Sequence, residues 1–313
     1  MLSYTLRRLL MTLPVMLFVA LFVFALLDLA PGDPAALLAG EDATPDDILR
    51  IRATLGLDEP FLQRFGMWGW NVLHGDLGMS LFTGQPVSHM ISQRLAPTFS
   101  LMLMTLIVSV VIAIPIGAWA AWKHNRLQDR TIMVLAVFSF SVPSFAVGYL
   151  LAWIFGLQLR WFPVQGYVPL STGFWASVHT LVLPALALGS VYVALITRIT
   201  RATLLETLSQ DYVRTARAKG VNNRGLLFRH ALKNAAVPII TVIGSGVALL
   251  ISGTVVTETV FSIPGLGRLV VDAILRRDYP IIQGVILLFS FMYVLINLLV
   301  DLLYRAFDPR IKY

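Results

Sequence analysis

Residues 99–122 read FSLMLMTLIVSVVIAIPIGAWAAW, a run without one charged side chain. Its length decides its environment. The hydrocarbon core of a bilayer is about 30 Å thick and takes about 20 residues of helix to cross, whereas a helix of a soluble core would interleave polar residues at helical period. Further uncharged runs lie at Leu9–Leu27, Thr131–Leu159, about Val178–Thr197, Ala235–Thr257 and Tyr279–Val300. Backbone N–H and C=O groups in lipid must be satisfied within the spanning structure, so these runs predict six transmembrane helices and an all-α integral membrane protein. The stretch that opens at Trp161, with Pro163, Gly166, Pro169 and Gly173, reads as a loop or re-entrant turn ahead of the fourth span.

Composition points the same way. Only 13 % of the 313 residues are charged and 57 % are apolar, against about a quarter charged in an average soluble protein. The net charge of +7 and the isoelectric point near 9.9 suit membrane orientation better than nucleic-acid binding. There are no cysteines, which excludes disulfides, thiolate metal sites and cysteine nucleophiles. The first run is longer than the 7–15 residues of a signal core, and Asp28-Leu29-Ala30-Pro31 offers no small-x-small cleavage site, so it is expected to stay as an anchor.

Orientation follows from the basic residues. With the N-terminus in the cytoplasm, the inside segments hold Arg7, Arg8, Lys123, Arg126, Arg130, eight residues between Arg198 and Lys233, Arg305, Arg310 and Lys312, sixteen in all. The outside segments hold eight: Arg50, Arg52, Arg64, Arg94, Arg160, Arg268, Arg276 and Arg277. The positive-inside rule then predicts both termini in the cytoplasm.

The outside segment from Ala30 to Pro97 is too long for a passive connector and predicts a small folded cap. Thr44-Pro45-Asp46-Asp47 is a helix start and Gly56 its end, with Ile48, Ile51 and Leu55 on the apolar side. Phe61, Phe65, Trp68 and Val72 recur at helical spacing, which suits packing, anchoring at the membrane interface or contact with a partner. Eight acids, from Asp33, Glu41 and Asp42 to Asp76, make the segment a solvated acidic face.

The inside segment 198–236 differs in kind. Asp211 can cap a short helix from Tyr212 to Lys219, Gly220 can end it in the left-handed region, and Asn222 or Asn223 can cap a second helix running to Asn234. Ala216 and Ala218 would leave surface without bulk for close approach by a partner, with Arg214, Arg217 and Lys219 at the rim.

The order of these residues resembles a known family. Tyr212-Val-Arg-Thr-Ala-Arg-Ala-Lys-Gly220, followed by His230-Ala-Leu-Lys-Asn234 and Pro238, is similar to the cytoplasmic coupling loop of permease subunits of binding-protein-dependent ABC importers, in the dipeptide, oligopeptide, glutathione and nickel branch. Pro31-Gly-Asp-Pro34, Leu55-Gly-Leu-Asp-Glu-Pro60, Gly75-Asp-Leu-Gly-Met-Ser80, Phe261-Ser-Ile-Pro-Gly-Leu-Gly-Arg268 and Arg277-Asp-Tyr-Pro280 resemble that branch too, in family order. The superfamily's Glu-Ala-Ala is here Arg214, Thr215 and Ala216, so a contact made by that glutamate elsewhere is not carried over.

The resemblance implies a type I importer permease fold in a bacterial inner membrane: a helix-plus-cap segment 1–97, a five-helix core 98–307 and a tail 308–313. It implies ATPase coupling through Tyr212, Arg214, Ala216, Arg217, Ala218, Lys219 and Gly220, and transport of short peptides by alternating access, with glutathione, nickel chelates or opines as the other cargoes of the class. The expected partners are a second homologous permease chain, two cytoplasmic ATPase subunits, a soluble substrate-binding protein and membrane lipid. No glycine precedes any of the four lysines, so the Gly-Lys-Ser/Thr phosphate loop is absent; ATP and Mg²⁺ are expected in the partner subunits and no cofactor on this chain.

Glu258, near the end of the fifth span, is either a structural residue paired with Arg268 or a contact for a peptide ammonium. Pro115 with Gly117, Pro143, Pro184, and Gly244 with Gly246 read as interruptions that mark a translocation path, its hinges, or ordinary kinks. His74, His89 and His179 show no metal-ligand spacing. An ion-coupled secondary transporter would need coordinating groups in broken helices and inverted repeats, which the sequence does not clearly display. A membrane anchor or receptor without transport is the remaining competitor.

Overall fold

The computed structural model describes residues 2–29, 34–39, 43–54, 56–222 and 225–307. Residues 31–33 of the Pro-Gly-Asp-Pro stretch, Glu41, Asp42, Leu55, Asn223 and the tail 308–313, on all of which parts of the reading above fall, lie outside the described residues. The described chain is helical: α1 Leu2–Leu29, α2 Pro34–Ala39, α3 Pro45–Thr54, α4 Phe61–Leu73, α5 Val87–Trp122, α6 Leu127–Ser141, α7 Ser144–Leu151 continued by the π-helical turn Ala152–Gln158, α8 Phe174–Leu208, α9 Asp211–Ala218, the π-helical turn Leu226–Ala231 leading into α10 Leu232–Val260, α11 Leu266–Arg276 and α12 Tyr279–Phe307.

Five helices are long and apolar enough to cross a membrane unbroken: Leu10–Leu29, Val87–Trp122, Phe174–Leu208, Arg229–Val260 and Tyr279–Val300. The third predicted span, Thr131–Leu159, is a broken one, Leu127–Ser141 and Ser144–Gln158, bent by 105°. Its cause is local. Pro143 cannot donate a backbone hydrogen bond, and its ring pushes Val142 to φ −93°, ψ 124°, out of the helical region.

The other predicted interruptions do not break their helices. Pro115 and Gly117 lie within α5, Pro184 within α8, and Gly244 and Gly246 within α10, all of which run through. These glycines admit neighbours instead. A β-carbon on Gly117 would sit 2.7 Å from the Thr197 carbonyl oxygen and one on Gly244 would sit 2.7 Å from Val300. At Gly246 it would sit 1.9 Å from the Tyr192 ring. The Tyr192 hydroxyl caps this approach by donating to the carbonyl of Ile243.

The chain forms two compact units, Met1–Ala96 with Arg268–Leu295, and Pro97–Gly267 with Ile296–Tyr313. In the second, α8 is the centre, packed on α6, α7 and α10. Its buried residues, from Ser177 through Leu188 and Tyr192 to Thr207, cover most of its circumference.

In the first unit, α4 packs on α1. The Phe24 ring meets Phe61, Phe65 and Trp68 at centroid distances of 5.5, 5.6 and 5.2 Å, so the aromatic spacing is used for packing. Arg64 closes the contact, with its guanidinium 2.9 Å from Asp28 and 5.5 Å from the Phe24 ring centroid. At the start of α3, the Thr44 hydroxyl donates to Asp47 at 2.6 Å and the Asp47 N–H donates back to that hydroxyl at 3.3 Å, a capping box. The bonds from Thr44 hold the Asp47 carboxyl below the usual carboxylate range.

The stretches 75–80 and 277–280 meet as well. The buried Asp278 accepts the Ser80 hydroxyl at 2.5 Å and the N–H groups of Leu81 and Phe82 at 3.2 and 3.4 Å.

Gly246→Ala is expected to destabilise the protein by about 1–3 kcal/mol through overpacking against Tyr192. Gly66→Ala, in α4 where a β-carbon meets nothing within 4 Å, is expected to stabilise it by about 0.5–1 kcal/mol. Thermal unfolding in detergent micelles reads both.

Candidate functional site

The segment after the fourth span is built as a packed helical hairpin. Polar residues beyond Thr197 do not end α8, which runs on to Leu208, so much of the predicted loop is helix. Gln210 then stands at the N-cap of α9, without a side-chain cap bond. Asp211, predicted as the cap, lies instead in the first turn and pairs with Arg214 at 3.4 Å, a position where its charge favours the positive end of the helix dipole.

The end of α9 is a Schellman turn. Gly220 takes φ +83°, its N–H donates to the Arg217 carbonyl at 3.0 Å, and the Val221 N–H reaches back to the Ala216 carbonyl at 3.2 Å. Asn222 then caps the next helix, its side-chain oxygen accepting the Gly225 N–H at 2.8 Å. The expected second helix does not stop at Asn234. Ala231 and Leu232 keep helical backbone angles, so the turn Leu226–Ala231 passes into α10 without a break.

Two apolar clusters fix the hairpin. Val213 and Ala216 of α9 pack against Leu226, with Leu208 and Val221 beside them. Leu227 and Ala231 pack onto Ala118 and Ala121 of α5 and Leu204 of α8, with Leu208 bordering both clusters. A polar link joins the two arms, with the Asn234 side-chain amide donating to the Tyr212 hydroxyl at 2.8 Å.

This arrangement sorts the predicted coupling residues. Arg214, Arg217, Ala218, Lys219 and Gly220 are exposed, and Tyr212 is 43 % exposed. Ala216 is corrected: it is 9 % exposed and turned into the hairpin. Its small size serves the fit between α9 and Leu226, and Ala218 is the alanine on the open face.

Sequence reasoning missed a brace behind this hairpin. Asp129, 2 % exposed at the start of α6, accepts both Nε and Nη2 of Arg201 on α8, the latter at 2.7 Å. It also accepts the Asn125 N–H at 3.0 Å, while His124 Nδ1 lies 3.4 Å away. A single acid among Lys123, Arg126 and Arg130 was the available signal.

Glu258 is placed elsewhere, at the far end of α10. It is fully buried and its carboxylate accepts the Thr98 hydroxyl at 2.6 Å, a geometry that favours a structural role over contact with a cargo. Among the described residues, no three metal-ligating side chains come together.

Residues 113–313 match the family of binding-protein-dependent transport system inner membrane components. Residues 1–102 match the N-terminal part of binding-protein-dependent transport system membrane components. A probable peptide ABC transporter permease protein of Sinorhizobium fredii is 52 % identical over 310 residues, covering 99 % of each chain. A protein of Brucella abortus named for the permease of a peptide transport system is 44 % identical over the full length of both chains. A glutathione transport system permease protein of Salmonella choleraesuis matches at 44 % identity, again over the full length of both.

Asn222→Ala should weaken the hairpin by about 1 kcal/mol and speed amide exchange across 211–222 about fivefold. Ala216→Leu should speed it further, by overpacking against Leu226. Arg217→Ala, on the open face, should leave exchange unchanged; hydrogen exchange read by mass spectrometry checks all three.

Proposed function

The chain belongs to the family of binding-protein-dependent transport system inner membrane components, and we propose that within an ATP-driven importer of short peptides it is a permease subunit moved by ATPases that dock on α9. The observation that carries this reading is the hairpin after the fourth span. Its interior is closed by Val213, Ala216 and Leu226, while Tyr212, Arg214, Arg217, Ala218, Lys219 and Gly220 are left on its open side. A lever must be stiff within itself and open toward its driver, and these residues meet both conditions.

Force on α9 reaches the membrane by two routes. One is through Leu226 and the Tyr212–Asn234 bond into α10, which is continuous from the π-helical turn to Val260. The other is through α8, which is braced to the α5–α6 connection by Arg201 and Asp129. Since α8 packs on α6, α7 and α10, its displacement would be shared by several helices and would support alternating access.

The absence of a phosphate-loop lysine supports a reading in which ATP and Mg²⁺ are held by separate subunits and this chain holds no cofactor. The excess of basic residues in 198–236 supports a cytoplasmic position for that segment and, with it, for both termini. A second, homologous permease chain would complete the pore, and a soluble receptor would deliver cargo to the opposite face.

The peptide cargo rests on the relatives of Sinorhizobium and Brucella. Glutathione, the cargo in the name of the Salmonella relative, is the second reading, and as a tripeptide it presents the same amide and carboxylate chemistry. Calorimetry of the receptor made alongside this chain, against dipeptides, longer peptides, glutathione and nickel chelates, decides between them. Heat with nickel chelates alone would remove the peptide reading.

Arg214→Glu with Arg217→Glu, or Ala218→Trp alone, is expected to weaken binding of the ATPase subunits at least tenfold without changing amide exchange inside the hairpin. Binding is measured on the purified membrane subunit in nanodiscs. Unchanged affinity in both variants would remove α9 as the docking element.

A further inference from the structure

The stretch Phe261-Ser-Ile-Pro-Gly-Leu-Gly267 follows α10 directly, at the end opposite the hairpin, and takes no part in the docking face. Its backbone turns sharply. The Ile263 N–H donates to the Glu258 carbonyl at 2.9 Å, and Ser262 takes φ +52°, a left-handed conformation a non-glycine residue seldom adopts. The turn is held on each side. The Phe261 ring is 2 % exposed and lies over Gly148 of α7, where a β-carbon would come within 3.2 Å of it. The Phe261 carbonyl accepts the Gly166 N–H at 3.1 Å.

At the centre is the Glu258 carboxylate. The two glycines of the stretch are its cradle: a β-carbon on Gly265 would fall 2.2 Å from Glu258 Oε1, and one on Gly267 would fall 3.0 Å from Oε2 and 2.4 Å from the Val255 α-carbon. Thr98 of α5 completes the network. Its hydroxyl donates to Glu258 Oε1 at 2.6 Å while its oxygen accepts the Leu266 N–H at 2.8 Å. Both Glu258 and Thr98 have no exposed surface.

Burying a carboxylate is costly even when it is hydrogen-bonded, and a leucine would fill similar volume without that cost. The carboxylate is therefore present for its hydrogen bonding, and its bond to Thr98, continued by the bond from the Leu266 N–H to the Thr98 oxygen, joins three separate pieces: the end of α10, the turn after it and α5.

We propose that Glu258 is a positioning residue which, through Thr98, makes the end of α10, the turn Ser262–Gly267 and α5 at Thr98 move as one piece, so that displacement imposed on α10 at the hairpin reappears at this turn. The inference rests on the reading of α9 as the element driven by an ATPase. Without the network, α10 still moves, but the turn and α5 are no longer obliged to follow it.

The test uses the assembled complex of permease and ATPase subunits in nanodiscs, with amide exchange followed at 211–221 and at 261–267 with and without ATP. In the wild type both segments should respond to nucleotide. In Glu258→Ala and in the isosteric Thr98→Val, 211–221 should respond as before while the response at 261–267 falls at least fivefold. Glu258→Gln, which keeps an acceptor for the Thr98 hydroxyl, should restore at least half of it. A response at 261–267 of wild-type size in Thr98→Val overturns the inference while leaving the coupling reading intact, and it decides the matter should Glu258→Ala fail to assemble. Absence of any nucleotide response at 211–221 in the wild type overturns the coupling reading and this inference with it.

Discussion

In lipid a helix gains nothing by hiding leucine from its surroundings, so helices hold together through close packing and interhelical hydrogen bonds, and packing is tightest where their backbones come close. Here that closeness is concentrated on α8. Gly189 lets Ser109 of α5 approach, with 2.7 Å between the hydroxyl oxygen and the site of a β-carbon, and Gly117 of α5 receives Thr197 and Thr200 in return. On the other side, Gly246 and Gly253 of α10 receive Tyr192 and Leu188. Small residues on one helix thus meet larger ones on the next, in both directions, and α8 becomes the common neighbour of the second unit.

A shared neighbour of this kind makes the hairpin after α8 mechanically useful. α9 hangs from the end of α8 and leans on the start of α10, so its two supports are helices that already pack along their lengths. The clusters around Leu226 and Leu227 are distinct but adjoin, since Leu208 borders both. The π-helical turn is thereby held to α9 through Leu226 and to α5 and α8 through Leu227 and Ala231.

Three buried carboxylates solve a related problem where the chain leaves its spans. Backbone N–H groups in such turns have no helical partner and are costly to bury unpaired. Asp129 accepts the N–H of Asn125, Asp278 accepts those of Leu81 and Phe82, and Glu258 reaches the Leu266 N–H through the Thr98 hydroxyl. Each acid accepts bonds from elsewhere in its own unit, turning a connection between spans into a fixed joint. In a chain with so few charges, those that are buried mark the places where geometry is fixed.

The runs of uncharged residues determined by themselves that the chain crosses a membrane as helices, since length against hydrocarbon thickness is a one-dimensional quantity. Pro143 was legible as an interruption because its effect on Val142 is local, and Gly220 and Asn222 were legible as helix punctuation for the same reason. Helix ends were not. Polar residues beyond Phe99 and Thr197 mark where lipid stops, yet a helix continues past that point as long as its hydrogen bonds are met, as α5 and α8 do. Nor could the sequence tell which way Ala216 points, why Gly246 is small, or that Asp129 meets Arg201 and Glu258 meets Thr98. Those facts depend on residues far apart in the chain being brought within a few ångströms, and only the packing of α5, α6, α8 and α10 decides that.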